Sequence, residues 1–181
     1  MPVTSSSSQV HIFLIGFMCS GKSTVGKVLG PLLGLPFVDL DRAVERRVGP
    51  LVPFFAKHGE EAFRIAESEA LLELLQGPPT LIATGGGTPC EAGNLRLMKD
   101  AGKVVWLDVP MPALMQRIER AGGDRPLLFG LKGEALAARV QELHAPREAV
   151  YASADIIVQA AATPAVVAER IALALTMPQV K

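Results

Sequence analysis

Gly16-Phe17-Met18-Cys19-Ser20-Gly21-Lys22-Ser23 is the stretch on which the reading of this chain turns. It fits G-x-x-x-x-G-K-[ST], and both flanks are right for that pattern. The residues before it, Val10–Ile15 (VHIFLI), form a short apolar run that ends at Gly16, as a buried strand does. The residues after it, Lys22–Leu33, carry Val25, Val28, Leu29, Leu32 and Leu33 on one helical stripe. Glycines between a strand and a helix let the backbone fold tightly, so that N–H groups converge on an anion. The helix adds the positive end of its dipole. Lys22 should reach the β- and γ-phosphates of a nucleotide, and the Ser23 hydroxyl should bind Mg²⁺. The loop predicts Mg-ATP binding and says nothing about the phosphate acceptor.

Outward from the loop, strands and helices alternate. Phe37–Leu40, Thr80–Thr84, Lys103–Val109 and Ala154–Val158 read as further strands. Helical spacing runs over Arg42–Val48, Val52–Lys57, Glu60–Gln76, Glu91–Ala101, Met111–Arg120 and Glu134–Glu148. A last helix follows Thr163, an N-cap type, and Pro164, a first-turn proline. Ala121–Gly133 reads as a glycine-rich loop. This alternation predicts an α/β domain, a parallel sheet covered on both faces, with ligands beyond the carboxyl ends of the strands.

The chain of 181 residues suits one domain, with residues 1–9 as a tail and 10–176 as the folded unit. Lysine plus arginine and aspartate plus glutamate each number 18, so no global basic field exists to hold nucleic acid or a membrane surface. Two cysteines, Cys19 and Cys90, are too few for a disulfide framework and read as reduced thiols. The N-terminus has no signal-peptide pattern and no apolar run is long enough to span a bilayer, so the expected location is the cytoplasm. No apolar seam suggests a dimer, and a monomer is expected.

Chemistry-bearing residues cluster after the strands. Asp39 and Asp41 are spaced i, i+2 at the end of the second strand, which would aim both the same way along an extended backbone. One suits Mg²⁺-bound water and the other an acceptor hydroxyl and its proton; Asp41 as a cap for a helix starting at Arg42 is a compatible alternative. Arg64 can pair with Glu60 and Glu67 along one helix face, or present a guanidinium fork to a substrate carboxylate. Three successive glycines, Gly85–Gly87, imply backbone in close approach to something, or a plain turn. Arg125 sits in the glycine-rich loop, where it can close over a transferring phosphoryl group or stand exposed. Arg147 lies near the end of a helix, four residues before Tyr151, where it can bind an anion or favour the helix C-terminus.

Taken in order, GFMCSGKSTVGK, FVDLDRAVE, FFAKHGEEAFRIAESEAL, IATGGGTPC, VVWLDV, RPLL and PREAVYASAD resemble the shikimate kinase family from about Val10 to Leu175. The resemblance implies a P-loop NTPase fold of three α/β/α layers, with a five-stranded parallel sheet in the order 2-3-1-4-5. It implies transfer of the ATP γ-phosphate to the 3-hydroxyl of shikimate, a step towards chorismate and the aromatic amino acids. On that basis Cys19, Ser20, Gly21, Lys22, Ser23, Thr24, Arg120 and Arg125 would bind nucleotide. Asp41, Phe55, Phe63, Arg64, Gly85, Gly86, Gly87 and Arg147 would bind shikimate. Lys22, Asp41 and Arg125 would act in catalysis, with Ser23 a direct Mg²⁺ ligand and Asp39 acting through water. Residues about 42–76 would be the substrate-binding helices and about 121–133 a lid.

Three features depart from the family pattern. Cys19 stands where many members carry glycine, the stretch between Arg120 and Arg125 is short, and Gln159-Ala160-Ala161-Ala162 lacks the arginine that many relatives place near adenine. Adenine contacts are therefore expected from backbone and Arg120. Two other readings stay open: a gluconate-type small-molecule kinase, and a non-catalytic shikimate-binding regulator. Lys22, Asp41, the paired arginines and the triple glycine speak for the kinase acting on shikimate.

Overall fold

A computed structural model describes residues 10–122 and 126–177. Five strands, β1 (His11–Ile15), β2 (Phe37–Asp39), β3 (Leu81–Ala83), β4 (Gly102–Asp108) and β5 (Ile156–Gln159), form one sheet in the order β2-β3-β1-β4-β5. Every neighbouring pair is parallel. Central β1 is buried along its whole length, as a strand covered on both faces must be. Edge strand β5 alternates buried Ile156 and Val158 with exposed Ile157 and Gln159.

Among the described residues seven helices connect and cover the strands: α1 (Lys22–Leu33), α2 (Leu40–Val48), α3 (Leu51–Leu75), α4 (Asn94–Ala101), α5 (Met111–Ala121), α6 (Gly133–Tyr151) and α7 (Pro164–Thr176). Short 3-10 turns occupy Thr88–Cys90 and Pro126–Leu128. The two helices expected over Val52–Lys57 and Glu60–Gln76 run on as α3. Gly59, at φ 81° and ψ 177°, makes the non-helical kink between them. Thr163 stands at the N-cap of α7 as expected, but its side chain makes no capping bond. No helix among the described residues is long and apolar enough to cross a membrane.

Strand register sets the site. Leu14 pairs with Ala83, and Ala83 with Asp39, so β3 and β2 end level with Leu14, one residue before the end of β1. Two residues beyond that row stand Gly16, Gly85 and Asp41. The neighbours of β1 are β3 on one side and β4 on the other, and the chain switches direction across the sheet there. A crevice therefore opens at the carboxyl end of β1.

Candidate active site

The loop after β1 winds through positive φ at Gly16 (138°), Cys19 (60°) and Gly21 (99°). Gly21 is the N-cap of α1 and has no side chain to offer, which leaves the first-turn N–H groups of that helix for an outside acceptor. Cys19 is the one described non-glycine residue at positive φ. It accepts the left-handed conformation at a cost of about 1–2 kcal/mol, which explains why glycine suits this position. Lys22 is buried, and its ammonium donates to the carbonyls of Gly16 (2.7 Å) and Phe17 (2.8 Å). The Ser23 hydroxyl donates to the Asp39 carboxylate.

A cleft of about 480 Å³ runs over this loop. Its phosphate end is formed by residues 18–25 with Asp39, Asp41, Thr84 and Gly86; its far end by Arg117, Ala121, Ala160, Ala162, Pro164 and Val167. Among the described residues no cluster of three or more His, Cys, Asp or Glu exists to hold a metal. The Ser23–Asp39 pair instead offers two hard oxygens at the phosphate end. That donor set fits a divalent cation held mostly by phosphate oxygens and water.

Asp39 and Asp41 do not share one extended backbone. β2 stops at Asp39 and Leu40 already opens α2. Asp39 is the cap, its carboxylate accepting from the Arg42 N–H at 3.4 Å, while Asp41 sits in the first turn. The cap assigned to Asp41 as an alternative thus belongs to Asp39, and the helix begins two residues earlier than expected.

A smaller cavity of about 90 Å³ adjoins the cleft. Asp41, Phe55, Phe63, Arg64, Gly85, Gly86, Gly87 and Arg147 all line it, so α2, α3, α6 and the β3 turn bring together the whole set expected to face shikimate. Met18, Asp41 and Gly86 line both spaces, and Asp41 is the charged side chain common to the two.

One wall of the cavity is an arginine held by carboxylates. The Arg64 guanidinium donates to Glu67 (2.8 Å) and Glu60 (3.1 Å) and pairs with Glu91 at 3.5 Å. Glu67 has no exposed surface and also accepts from the Thr88 hydroxyl. Burial opposes the Arg64 charge, but Glu67 and Glu60 outweigh it and raise its pKa. Burial likewise pushes the Glu67 carboxyl up, against the pull of Arg64 and Thr88. The Arg147 guanidinium lies over the Phe17 ring at 5.7 Å, a cation–π contact that fixes it between α6 and the phosphate loop.

Close approach explains the three glycines. A Cβ on Gly85 would stand 2.2 Å from Glu67 Oε1, one on Gly86 3.2 Å from the Met18 nitrogen, and one on Gly87 2.5 Å from the Arg64 guanidinium. The turn is thus wedged between the arginine wall and the phosphate loop.

The far end of the cleft differs from expectation. Arg120 is exposed on the last turn of α5 and is absent from the lining; Arg117, three residues earlier, is present. Arg117 donates to the carbonyls of Ser20 (3.0 Å) and Ala160 (2.9 Å), bridging the phosphate loop to the loop after β5. At 100° per residue, Arg117 borders the buried stripe of Leu114 and Ile118, whereas Arg120 turns further from it. That stripe was the available signal. Glu67 and Thr88 could be found only from the fold, apart from the i, i+3 spacing of Glu67 to Arg64. Arg125 lies outside the described residues.

The comparisons with known proteins agree with this geometry. The family model described as shikimate kinase matches residues 18–176. A shikimate kinase of Parabacteroides distasonis is 42% identical over 147 residues, covering 81% of this chain and 85% of that protein. One from Aquifex aeolicus is 38% identical over 167 residues, covering 92% and 96%. The solved structure of shikimate kinase from Acinetobacter baumannii in complex with shikimate superposes with a TM-score of 0.85 at 32% identity, covering 98% of this chain and 100% of that one. Sequence, site and architecture lead to one conclusion: the chain belongs to the shikimate kinase family.

Proposed function

We propose that this chain transfers the γ-phosphoryl group of ATP to the 3-hydroxyl of shikimate, with nucleotide in the larger cleft and shikimate in the smaller cavity. The observation that carries the reading is Asp41, whose side chain lines both spaces where they meet. A carboxylate there can orient the acceptor hydroxyl towards the γ-phosphate and accept its proton as the oxygen attacks. Arg64 and Arg147 stand in the same cavity and bind the shikimate carboxylate, Arg64 in an orientation held by buried Glu67. Phe55 and Phe63, 5.8 Å apart between ring centroids, wall the six-membered ring.

Residues 19–24 bind the phosphates, and Lys22 moves from the loop carbonyls to the β- and γ-oxygens. Mg²⁺ would be held by Ser23 directly and by Asp39 through water, and when bound it would neutralise charge on the transferring group. Arg117 contributes the cationic side chain at the base end. Arg125 would add charge over the phosphoryl group. Phosphoryl transfer needs mainly positioning and charge neutralisation, and these residues supply both.

The test is ADP release by the pure protein with Mg-ATP and, separately, shikimate, quinate, gluconate and adenylate. Turnover with shikimate alone supports the reading. Turnover with gluconate and none with shikimate overturns it, and binding of shikimate without ADP release identifies a regulator instead.

A further inference from the structure

Tyr151 ends α6, has no exposed surface, and has no role in the mechanism above. Its phenol donates to the carbonyl of Gly86, the middle glycine of the turn after β3. Its ring packs on Trp106 of β4, with centroids 5.9 Å apart, so the phenol approaches the turn from a rigid base. One helical turn earlier on the same face stands Arg147. Gly86 lines both the cleft and the cavity, and Gly87 lines the cavity. Because the peptide unit is planar and trans, fixing the Gly86 carbonyl also fixes the Gly87 N–H, which points the opposite way.

We propose that Tyr151 is a positioning residue for the acceptor site, locking the glycine turn and Arg147 into one geometry through its bond to the Gly86 carbonyl. The inference rests on the reading of the smaller cavity as the shikimate site. Without this donor the part-buried carbonyl loses its protein partner, and the turn is free to rotate towards another one. The three glycines supply no side chains to resist that rotation. Gly86 also abuts the Met18 nitrogen, so the same lock keeps the turn seated against the phosphate loop. Burial pushes the Tyr151 phenol up in pKa, and the opposing pull of Arg147 and Arg64 does not offset it. The phenol therefore remains a donor throughout the neutral range.

Tyr151→Phe keeps the ring and removes only the hydroxyl. Steady-state ADP release should show the shikimate KM raised about tenfold, with the ATP KM within about twofold of wild type. Trp106→Phe is the packing control: it loosens the same contact but keeps the hydroxyl, and should lower the urea midpoint while leaving the shikimate KM unchanged. A shikimate KM unmoved in Tyr151→Phe overturns the inference, as do KM values for both substrates rising together. So does a Trp106→Phe variant that raises the shikimate KM as much as Tyr151→Phe does. Wild-type protein with no shikimate turnover overturns the proposed function, and the inference with it; wild-type turnover without the split in KM overturns the inference alone.

Discussion

Gly85→Ala asks what the triple glycine is for. The added methyl would sit 2.2 Å from Glu67 Oε1, 2.9 Å from the Thr88 hydroxyl and 3.1 Å from an Asp41 oxygen. Ordinary contact needs roughly 3.5 Å, so the Glu67 carboxylate must retreat by about 1 Å. Glu67 has no exposed surface and is bonded to both Arg64 and Thr88, so it has no solvent to retreat into. Overpacking costs about 1–3 kcal/mol, and a lost hydrogen bond to a charged partner about 1.5–3 kcal/mol. The sum, about 2.5–6 kcal/mol, is a large fraction of the 5–15 kcal/mol that holds a domain together. For a domain of this size each kcal/mol shifts Tm by about 2–4 °C, so Tm should fall by about 10 °C. Arg64 loses its anchor, and at a temperature well below the new Tm the shikimate KM should rise at least tenfold, by about 1.4 kcal/mol or more. The nucleotide loop is touched only indirectly, so ATP affinity by calorimetry should stay within about threefold. A variant with unchanged Tm and unchanged shikimate KM would refute the argument that Gly85 exists to admit Glu67. Equal losses for both ligands would refute the claim that the effect travels through Arg64.

Three further outcomes follow from particular residues. Asp41→Asn should lose nearly all turnover, by about 10²-fold or more, while ATP affinity by calorimetry is retained; full activity would remove Asp41 from the chemistry. Cys19→Gly relieves a left-handed residue but adds unfolded-state entropy, so the urea midpoint should rise by the equivalent of up to about 1 kcal/mol. Cys19→Val, branched at the same φ of 60°, should lower the midpoint. Burial pushes the Cys90 thiol up in pKa, outweighing Arg147 and Arg64, so its thiolate is scarce at neutral pH. Alkylation of Cys90 followed by peptide mass spectrometry should be slower at pH 7 than that of a free thiol and accelerate as pH rises; rapid labelling at pH 7 would contradict this.

The strand–loop–helix around Gly16–Ser23 was legible in the sequence because it is local: an apolar run, glycines, then an amphipathic stripe, all within a few turns of backbone. The same holds for α1, whose observed bounds are those expected, and for Asp41 and Gly85–Gly87, which closely follow β2 and β3; Arg64 and Arg147, inside helices, were assigned to the site only through the family resemblance. Spacing could not reveal the direction in which each side chain points. The i, i+2 argument for Asp39 and Asp41 assumed extended backbone, but Asp39 capped a helix and ended the strand. Arg120 and Arg117 are equivalent in composition; the phase of α5, fixed by packing Leu114 and Ile118 on the sheet, turns Arg117 into the cleft. Thr88 and Tyr151 act on residues distant in the chain, and no local pattern encodes them; for Glu67 the pairing with Arg64 at i−3 was local, but its bond to Thr88 was not. Local backbone chemistry thus determined that the chain binds a nucleotide beyond a parallel sheet. Tertiary packing alone decided which charges share one cavity, because only register and helix phase bring Asp41, Glu67, Arg64 and the glycine turn together.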